Sequence, residues 1–497
     1  MRRKRLLFNT IASLTNQVVV AVCGLILPRA ILSYYGSEVN GLLSSITQFL
    51  GLIAFMELGV GAVVQSSMYK PLAANDYLEL SKIMISARNF FRRIAVIFLG
   101  YVVVLTAIFP FIINNHFGYF YTASLVIIIS ISSFAEYYFG IVNQLLLNAD
   151  QKAYIHLVLR SITQVLNVVF CMILIYCGCS IQLVKLTTSI FFMARPLIQW
   201  LYVKRNYQIN YGIELDEEPI KQKWNGLAQH LAAVVLDKTD VVVLTTFSTL
   251  QNVSVYSVYY LVVNNLRQLV VSGTVGVQAL LGNMLAKGEY DELNEFFDSV
   301  EIVTHFIITF LFTTCGCLLV PFVAVYTSGI DDTNYIVPVF SALITLANAF
   351  YSFRNSYNMV IKAAGHYKET QNSAIIEVII NVVVSLILVI KLGLVGVAIG
   401  TLVSMLYRTI YFVFYLKNNI LYRSTKEFFG NLLVDAIISI VSVLCCSYAS
   451  YSVTTYMEWF LLAIREALIC GAIGFTVNIA VYRQKFVKSL GMLRKGK

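Results

Sequence analysis

Charged side chains stand inside several of the most apolar stretches of this sequence, and these residues have the greatest potential for chemistry. The run AAVVLDKTDVVVLTTF (232–247) carries Asp237, Lys238 and Asp240 at its centre. A charge placed in lipid costs about 2.5 kcal/mol or more on insertion scales, so such residues usually face a polar cavity or one another. The pattern predicts either internal ion pairs or a buried binding chamber at this point.

Basic side chains outnumber acidic ones inside the apolar runs, nine to seven. Lys238, Arg267, Arg195 and Arg408 each lie about midway along a run, and Arg29 lies near the end of the first run. A guanidinium group is a planar fork that can donate to two phosphate oxygens at once. These five cations are therefore predicted to bind an anion that contains phosphate.

The acidic side chains inside the runs leave two interpretations open. They either pair with the nearby cations and hold them in place, or they bind a coupling ion, H⁺ or Na⁺. The candidates are Glu57, Glu136, Asp237, Asp240 and Glu377.

Other charges in the runs have simpler structural interpretations. Arg160 and Arg354, with Glu377, lie toward the predicted cytoplasmic ends of their helices, where long side chains reach water. Arg465 and Glu466 are predicted to form a structural ion pair near the opposite surface.

Catalytic motifs are missing from the sequence. It contains no GxxxxGK[ST] loop, no HExxH motif and no arrangement of a nucleophile with a base, and its five histidines are dispersed. We expect neither an enzyme nor a transporter driven by its own ATP hydrolysis, and we predict no cofactor. The nine cysteines lack the paired spacing of zinc sites, so they are predicted to be small packing residues that hold no metal.

Composition places these residues in a bilayer. Of 497 residues, 58% are hydrophobic and 12% are charged, whereas soluble domains carry roughly 25% charged residues. A span needs about 20 apolar residues, which predicts an all-α polytopic membrane protein with 14 transmembrane helices. They are expected near 8–34, 40–63, 89–113, 120–147, 154–177, 181–203, 224–249, 252–281, 299–327, 334–360, 371–391, 394–416, 430–452 and 458–482.

The basic residues orient these helices. If the N-terminus is cytoplasmic, the cytoplasmic loops and termini hold 26 of the 36 Lys and Arg, nine lie inside helices, and the opposite loops hold Lys391 alone. This asymmetry predicts a multi-pass protein with both termini in the cytoplasm. It also accounts for the net charge of +10, so the sequence gives no reason to expect nucleic-acid binding.

An internal repeat organises the chain. At a shift of about 213 residues, ARPLIQWLYVKRN (194–206) lies over YRTIYFVFYLKNN (407–419), with Arg195 on Arg408. The repeat unit is six helices, and an even number of crossings makes the copies parallel, with a ligand site expected between them. The predicted domains are a six-helix bundle (1–203), a cytoplasmic linker (204–223), a second six-helix bundle (224–417), and two further helices with a basic tail (418–497).

Glycines occupy matching places in the two halves, in FMELGVGAVV (55–64) and VSGTVGVQALLG (271–282). Glycine lets helices bend or approach closely. Gly59, Gly61, Gly273 and Gly276 are therefore either hinges or ordinary packing positions.

Two stretches resemble a known family. LPRAILSYYGSEVNGLLSSITQFLGLIAFMELGVG (27–61) and VLDKTDVVVLTTFSTLQNVSVYSVYY (235–260) are similar to the polysaccharide repeat-unit flippases of the multidrug/oligosaccharidyl-lipid/polysaccharide exporter superfamily. The resemblance covers essentially the whole chain. NNLRQLVVSGTVGVQALLG (264–282) also resembles the eighth helix of the lipid II flippases, where Arg267 matches an arginine that lines the cavity. Arg29 matches a first-helix arginine of those proteins.

The resemblance implies a bacterial inner-membrane protein with two bundles around a central cavity. It would move an undecaprenyl-diphosphate-linked oligosaccharide for capsule, O-antigen or teichoic acid by alternating access. Membrane lipids would surround it as a monomer, and a polymerase or glycosyltransferases would be potential partners. The alternatives are a cation-coupled multidrug exporter, a lipid II flippase, and a membrane glycosyltransferase or polymerase.

The topology can be tested by cysteine labelling in intact cells. In a cysteine-free background, Asp331→Cys should react with a membrane-impermeant maleimide added outside, and Leu215→Cys should react only after permeabilisation, because the first is predicted to be external and the second cytoplasmic. The reverse pattern would invert the orientation.

Overall fold

A computed structural model describes residues 2–113, 117–213, 227–273, 275–448 and 453–495. Within its helices, the side chains of 2–7, 54–59, 62, 227–230, 275–276, 279 and 484–495 lie outside the described set. The secondary structure of the described residues is helical throughout, which confirms the predicted class. Ten described helices are long and apolar enough to cross a membrane. The chain is a multi-pass membrane protein, while the total of fourteen spans stays a prediction.

The chain separates into two compact units, unit 1 (Met1–Thr246) and unit 2 (Phe247–Lys497). Unit 1 begins with the 50-residue helix α1, and a 3₁₀ turn (Leu52–Ala54) and a π-helical segment (Glu136–Gly140) interrupt its later helices. Its helices are α1 (Arg2–Gly51), α2 (Phe55–Ala74), α3 (Tyr77–Ile112), α4 (Tyr119–Ala135), α5 (Ile141–Ala149), α6 (Ala153–Tyr176), α7 (Ile181–Asn206) and α8 (Leu227–Phe247).

Unit 2 contains the remaining helices. They are α9 (Leu250–Gly273), α10 (Val275–Lys287), α11 (Tyr290–Tyr326), α12 (Pro338–Ala363), α13 (Gln371–Leu392), α14 (Leu394–Asn419), α15 (Lys426–Tyr448) and α16 (Tyr456–Lys495). The repeat of six helices stays a prediction. The predicted domain boundaries stay predictions.

Several helices differ from their predicted bounds. The break predicted between the spans 8–34 and 40–63 is present as a non-helical kink at Gly36 (φ 85°), across which α1 continues to Gly51, and the 3₁₀ turn at Leu52–Ala54 interrupts the second of these spans. A positive φ strains residues with a Cβ, so glycine suits this position. Helix α3 begins at Tyr77, twelve residues before its predicted start, with Asp76 capping its first turn through a 3.0 Å bond from the Glu79 amide.

Helices α13 and α14 form a tightly packed hairpin in unit 2. Gly393 turns the chain between them with φ 52°. A Cβ placed on Gly396 would come within 2.5 Å of the Leu388 carbonyl group, and one on Gly400 within 2.9 Å of the Ser385 amide nitrogen. Contacts this close involve backbone atoms, which cannot turn aside as a side chain does. The hairpin therefore depends on the small residues of α14.

Gly396→Ala should lower the stability of unit 2. Forcing a methyl group into a packed contact typically costs about 1–3 kcal/mol, which we expect to appear as a lower Tm of the protein purified in detergent. Gly430→Ala is the matched control, because it also lies in the first turns of a helix but has open space around its Cβ position. Equal Tm values for both variants would show that the hairpin relaxes without cost.

Candidate functional site

Buried and half-buried side chains of unit 2 form an arginine cluster, which we define as Arg267, Tyr351, Arg354, Glu377 and Arg408. Glu377 is fully buried and accepts hydrogen bonds from Arg354 and, at 2.6 Å, from Arg408 Nη1. The Tyr351 ring centroid lies 4.3 Å from the guanidinium carbon of Arg354 and 4.7 Å from that of Arg267. Tyr351 thus connects Arg267 to the ion pairs of Glu377.

The charge balance of the arginine cluster is positive. Its five side chains contribute three positive charges and one negative charge, which leaves +2 in a region of low dielectric. Pairing with Glu377 offsets part of this charge, and the Tyr351 ring faces stabilise two guanidinium groups through cation–π contacts.

Local helix geometry explains how the sequence places these groups together. Tyr351 and Arg354 are three residues apart on α12 and therefore share one face of the helix. Glu377 and Arg408 lie on the two arms of the α13–α14 hairpin, whose close glycine contacts bring the helices together. Arg267, on α9, supplies the third cation. Among the predicted site residues, the structure joins Arg267, Glu377 and Arg408.

Unit 1 contains a related group around Arg195, the repeat counterpart of Arg408. Arg195 donates from Nε to Thr163 Oγ1 at 2.5 Å and from Nη2 to Gln164 Oε1 at 3.1 Å. Both Arg195 and Arg160 attract Glu136 electrostatically. The acidic residue stands on the π-helical segment between α4 and α5 in this half, whereas in unit 2 it stands on α13. Each half thus combines two arginines with one glutamate.

The stretch LDKTD lies in α8 of unit 1. Lys238 Nζ is 3.4 Å from Asp237 Oδ2, an ion pair between neighbours on one helix, and the internal ion pair between helices stays a prediction. A Cβ on Gly51 would lie 3.2 Å from Lys238 Cε, which places the lysine against the end of α1. Asp240 is buried. The side chain of Lys238 nevertheless remains 25% exposed, as a group that meets a ligand requires.

The remaining predicted site residues are Arg29, Glu57 and the four glycines. Arg29 is half-buried in α1. Gly61 lies inside α2, with the Leu145 side chain 3.7 Å from its Cβ position, while Gly273 ends α9 in open space. The hinge role of these glycines stays a prediction. The side chain of Glu57 and the surroundings of Gly59 and Gly276 lie outside the described residues.

A buried polar network of unit 2 was not predicted. Arg423 Nη2 lies 2.5 Å from both Glu301 Oε2 and Glu427 Oε2, and its Nη1 lies 3.0 Å from Asp298 Oδ1. Glu301 also accepts a hydrogen bond from the Tyr357 hydroxyl. One turn further along α11, His305 Nδ1 bonds Asp435 Oδ2 at 2.5 Å. The spacing of Asp298, Glu301 and His305 (i, i+3, i+7) is the sequence signal that marks this face of α11.

A second unpredicted feature is a cavity of about 340 Å³ in unit 1, lined by α3, the π-helical segment, α7 and the chain after α7. We call it the basic–aromatic cavity and define it by Arg88, Arg92, Tyr138, Trp200, Lys204 and Tyr211. Burial raises the pKa of Tyr211, while Arg88 and Arg92 act in the opposite direction. The tyrosine therefore stays neutral at physiological pH.

Three buried or half-buried thiols have the geometry of a metal-ligand group. The sulfur atoms of Cys317, Cys446 and Cys470 lie within 4.8 Å of one another, on α11, α15 and α16. A soft ion such as Zn²⁺ prefers such ligands. Since each cysteine comes from a different helix, their spacing in sequence gave no sign of the group. Beside it, Arg465 Nη2 bonds Glu466 Oε1 at 2.6 Å, which confirms the predicted pair.

Comparison with known proteins shows the fold. The structure is similar to that of "Lipid II flippase MurJ, inward closed conformation" with a TM-score of 0.71 and 16% identity, covering 96% of this chain and 99% of that one. A multidrug resistance MATE family transporter of the MOP superfamily, in an inward-facing conformation, has a TM-score of 0.61 at 15% identity, covering 82% and 98%. A MOP superfamily transporter from Pyrococcus furiosus has a TM-score of 0.55 at 14% identity, covering 85% and 97%.

Neither a protein-family model nor a curated protein sequence matches this chain. The structural likeness, spread over nearly the whole of each chain, gives this protein the fold of MOP-superfamily transporters. Identities of 14–16% show the fold alone. What the protein carries must be argued from its own side chains.

The arginine cluster predicts a large stability cost for Glu377→Gln. Without the carboxylate, Arg354 and Arg408 face each other with no compensating charge, and breaking a buried ion pair by removing one partner typically costs about 3–5 kcal/mol. We expect a clear fall in Tm for the purified protein. Glu369→Gln, an exposed change just before α13, should leave Tm unchanged. A Tm for Glu377→Gln equal to that of the wild type would contradict this role.

Proposed function

We propose that this protein moves an undecaprenyl-diphosphate-linked oligosaccharide, a repeat unit of capsule, O-antigen or teichoic acid, across the cytoplasmic membrane of a bacterium by alternating access. It performs no covalent chemistry. The proposal includes cytoplasmic termini, a monomeric protein among membrane lipids, and a coupling ion, H⁺ or Na⁺, at the intramembrane carboxylates.

The excess positive charge of the arginine cluster is the observation that carries the proposal. A diphosphate that leaves water loses its hydration, and only fixed positive charge can replace it inside a membrane protein. Arg267 provides a guanidinium group that stands outside the Glu377 ion pairs and lies over tyrosine rings. Tyrosine rings also offer stacking surfaces to sugars. Lys238 and Arg29 in unit 1 are assigned the same role.

Reversible binding is a further requirement, because a site that held the diphosphate tightly could not release it. Carboxylates close to the cations weaken anion binding by competing for the same positive charge. Asp237, 3.4 Å from Lys238, is placed to do this. Glu377 does the same for Arg408 and Arg354. The mixture of charges therefore suits a carrier better than a storage site.

Proteins that share this fold carry unlike cargo, since MurJ is a lipid II flippase and the MATE neighbour is a multidrug resistance transporter. The charge of the binding pocket is therefore the argument for a lipid-linked cargo. For the Pyrococcus furiosus transporter, the reverse polarity of its binding pocket suggests a different function. Pocket charge can therefore differ between proteins of this fold, and here the charge suits an anion.

A lipid II flippase is the second candidate, and the coverage of MurJ favours it specifically. The two candidates share the diphosphate and differ in the sugar. The purified protein in liposomes can be supplied with fluorescent lipid II or with a lipid-linked capsule repeat unit. The substrate that becomes accessible on the opposite leaflet distinguishes the two candidates.

Arg267→Ala, Lys238→Ala and Arg29→Ala should each abolish surface polysaccharide while the protein stays in the membrane, because each removes a charge that solvates the diphosphate. Loss of one charged hydrogen-bond donor typically costs about 1.5–3 kcal/mol, roughly a tenfold or greater loss. Lys238→Arg should retain part of the activity, since it keeps the charge and changes its shape. Surface polysaccharide is measured by immunoblot alongside protein abundance.

Lys287→Ala is the control, because that side chain is 58% exposed and lies at the end of α10. It should export normally. Normal export by Arg267→Ala, Lys238→Ala and Arg29→Ala would assign those cations a structural role and refute the anion-binding mechanism.

A further inference from the structure

The basic–aromatic cavity of unit 1 stands apart from the residues assigned to transport. Its lining brings Arg88 and Arg92 of α3 together with Lys204 of α7. None of the described residues that line it is acidic. At about 340 Å³ the cavity is within the usual size range of small-ligand sites.

The two arginines of the cavity are held close to each other by aromatic rings. The guanidinium carbon of Arg88 lies 4.2 Å from the Tyr211 ring centroid, and that of Arg92 lies 4.5 Å from the Tyr138 ring centroid. The π-helical segment supplies Tyr138, so the same local distortion that presents Glu136 also builds this cavity. The positions of both cations are thus fixed before any ligand arrives.

The described residues compensate the charges of the cavity incompletely. Arg88 and Arg92 repel each other electrostatically. The Nε atoms of both are buried and have no hydrogen-bond partner among the described residues. A buried donor without a partner costs about 1–3 kcal/mol. Two such donors on adjacent like charges form an arrangement that a bound anion would stabilise.

The position of the cavity along α3 indicates where that anion comes from. Residues 94–112 form an uncharged run of 19 residues, about 29 Å of helix, which matches the apolar thickness of a bilayer. Arg88 and Arg92 therefore stand just beyond the apolar layer. Trp200 and Lys204 at the end of α7 are residue types that favour the same boundary. Lipid phosphate groups lie at this depth.

We propose that the basic–aromatic cavity binds a phosphate ester at the membrane surface, with Arg88, Arg92 and Lys204 around the phosphoryl oxygens and Tyr138, Trp200 and Tyr211 against the group that the phosphate carries. Two sources share this chemistry: the headgroup of an anionic phospholipid and the sugar phosphate of a soluble glycan precursor. The proposal is independent of the transport cargo, since it concerns side chains of unit 1 that the transport mechanism does not use.

Trp200 provides a direct reporter of binding. The chain contains three tryptophans, so Trp224→Phe with Trp459→Phe leaves Trp200 as the single fluorophore. In maltoside micelles, which contain no phosphate, pyrophosphate should change Trp200 emission saturably, and the apparent Kd should rise with ionic strength. Calorimetric titration of the protein with all its tryptophans repeats the measurement if the double replacement lowers stability.

Arg88→Gln with Arg92→Gln should weaken pyrophosphate binding by about 100-fold or more, because it removes two charged donors. Arg93→Gln is the matched control. It lies on the same helix, next to Arg92, but its side chain is exposed and does not line the cavity. Its Kd should stay within about twofold of the wild-type value. An unchanged Kd in the double variant, or no saturable binding by the wild type, would overturn the proposal.

Competition separates the two sources. If phosphatidylglycerol added to the micelles displaces pyrophosphate from the wild type, the ligand is a lipid headgroup. If uridine diphosphate glucose displaces it and phosphatidylglycerol does not, the ligand is a sugar phosphate. Either displacement supports a phosphate-ester site, whereas displacement by neither probe would show that the cavity accepts inorganic pyrophosphate alone and would refute it.

Discussion

The cost of placing charge in a medium of low dielectric governs the polar structure of this protein. Each buried ion must gain from other protein groups what it loses in hydration. Glu377 shows how this is achieved: it is completely buried, yet both of its oxygens receive a guanidinium donor. Arg423 does the same for carboxylates of α11 and α15. Such networks require several helices to approach closely, so the positions of the charges and the packing of the helices depend on each other.

The two halves of the repeat provide their corresponding arginines with different hydrogen-bond partners. In unit 2, Arg408 of α14 donates a hydrogen bond to the carboxylate of Glu377. In unit 1, its counterpart Arg195 donates to the neutral oxygens of Thr163 and Gln164. The repeat therefore preserves an arginine at one place and varies what surrounds it. A protein that binds and releases one ligand during a cycle has no need for two equivalent sites, and the variation is consistent with that asymmetry.

The fold alone does not determine which ligand a protein binds, so the arrangement of its charged side chains must do so. The architecture is that of MOP-superfamily transporters, and proteins with one fold can carry unlike substrates. The excess of cations around Tyr351, and the separate pair of arginines beside Tyr138 and Tyr211, are properties of this sequence on that architecture. Both carry the proposals of phosphate binding made above.

The sequence by itself determined the helical class, the membrane environment, the repeat and the kinds of charge inside the helices, because hydropathy and composition are local properties of each segment. It predicted the pair Arg465–Glu466, whose members are adjacent in the chain. Only the tertiary structure decided that Arg408 pairs with Glu377, 31 residues away. It also decided that three thiols from separate helices meet, and that Arg88 lies over Tyr211. Such contacts depend on how whole helices are rotated and how closely they approach. The packing of segments that are distant in sequence determines both, so no local sequence pattern predicts them.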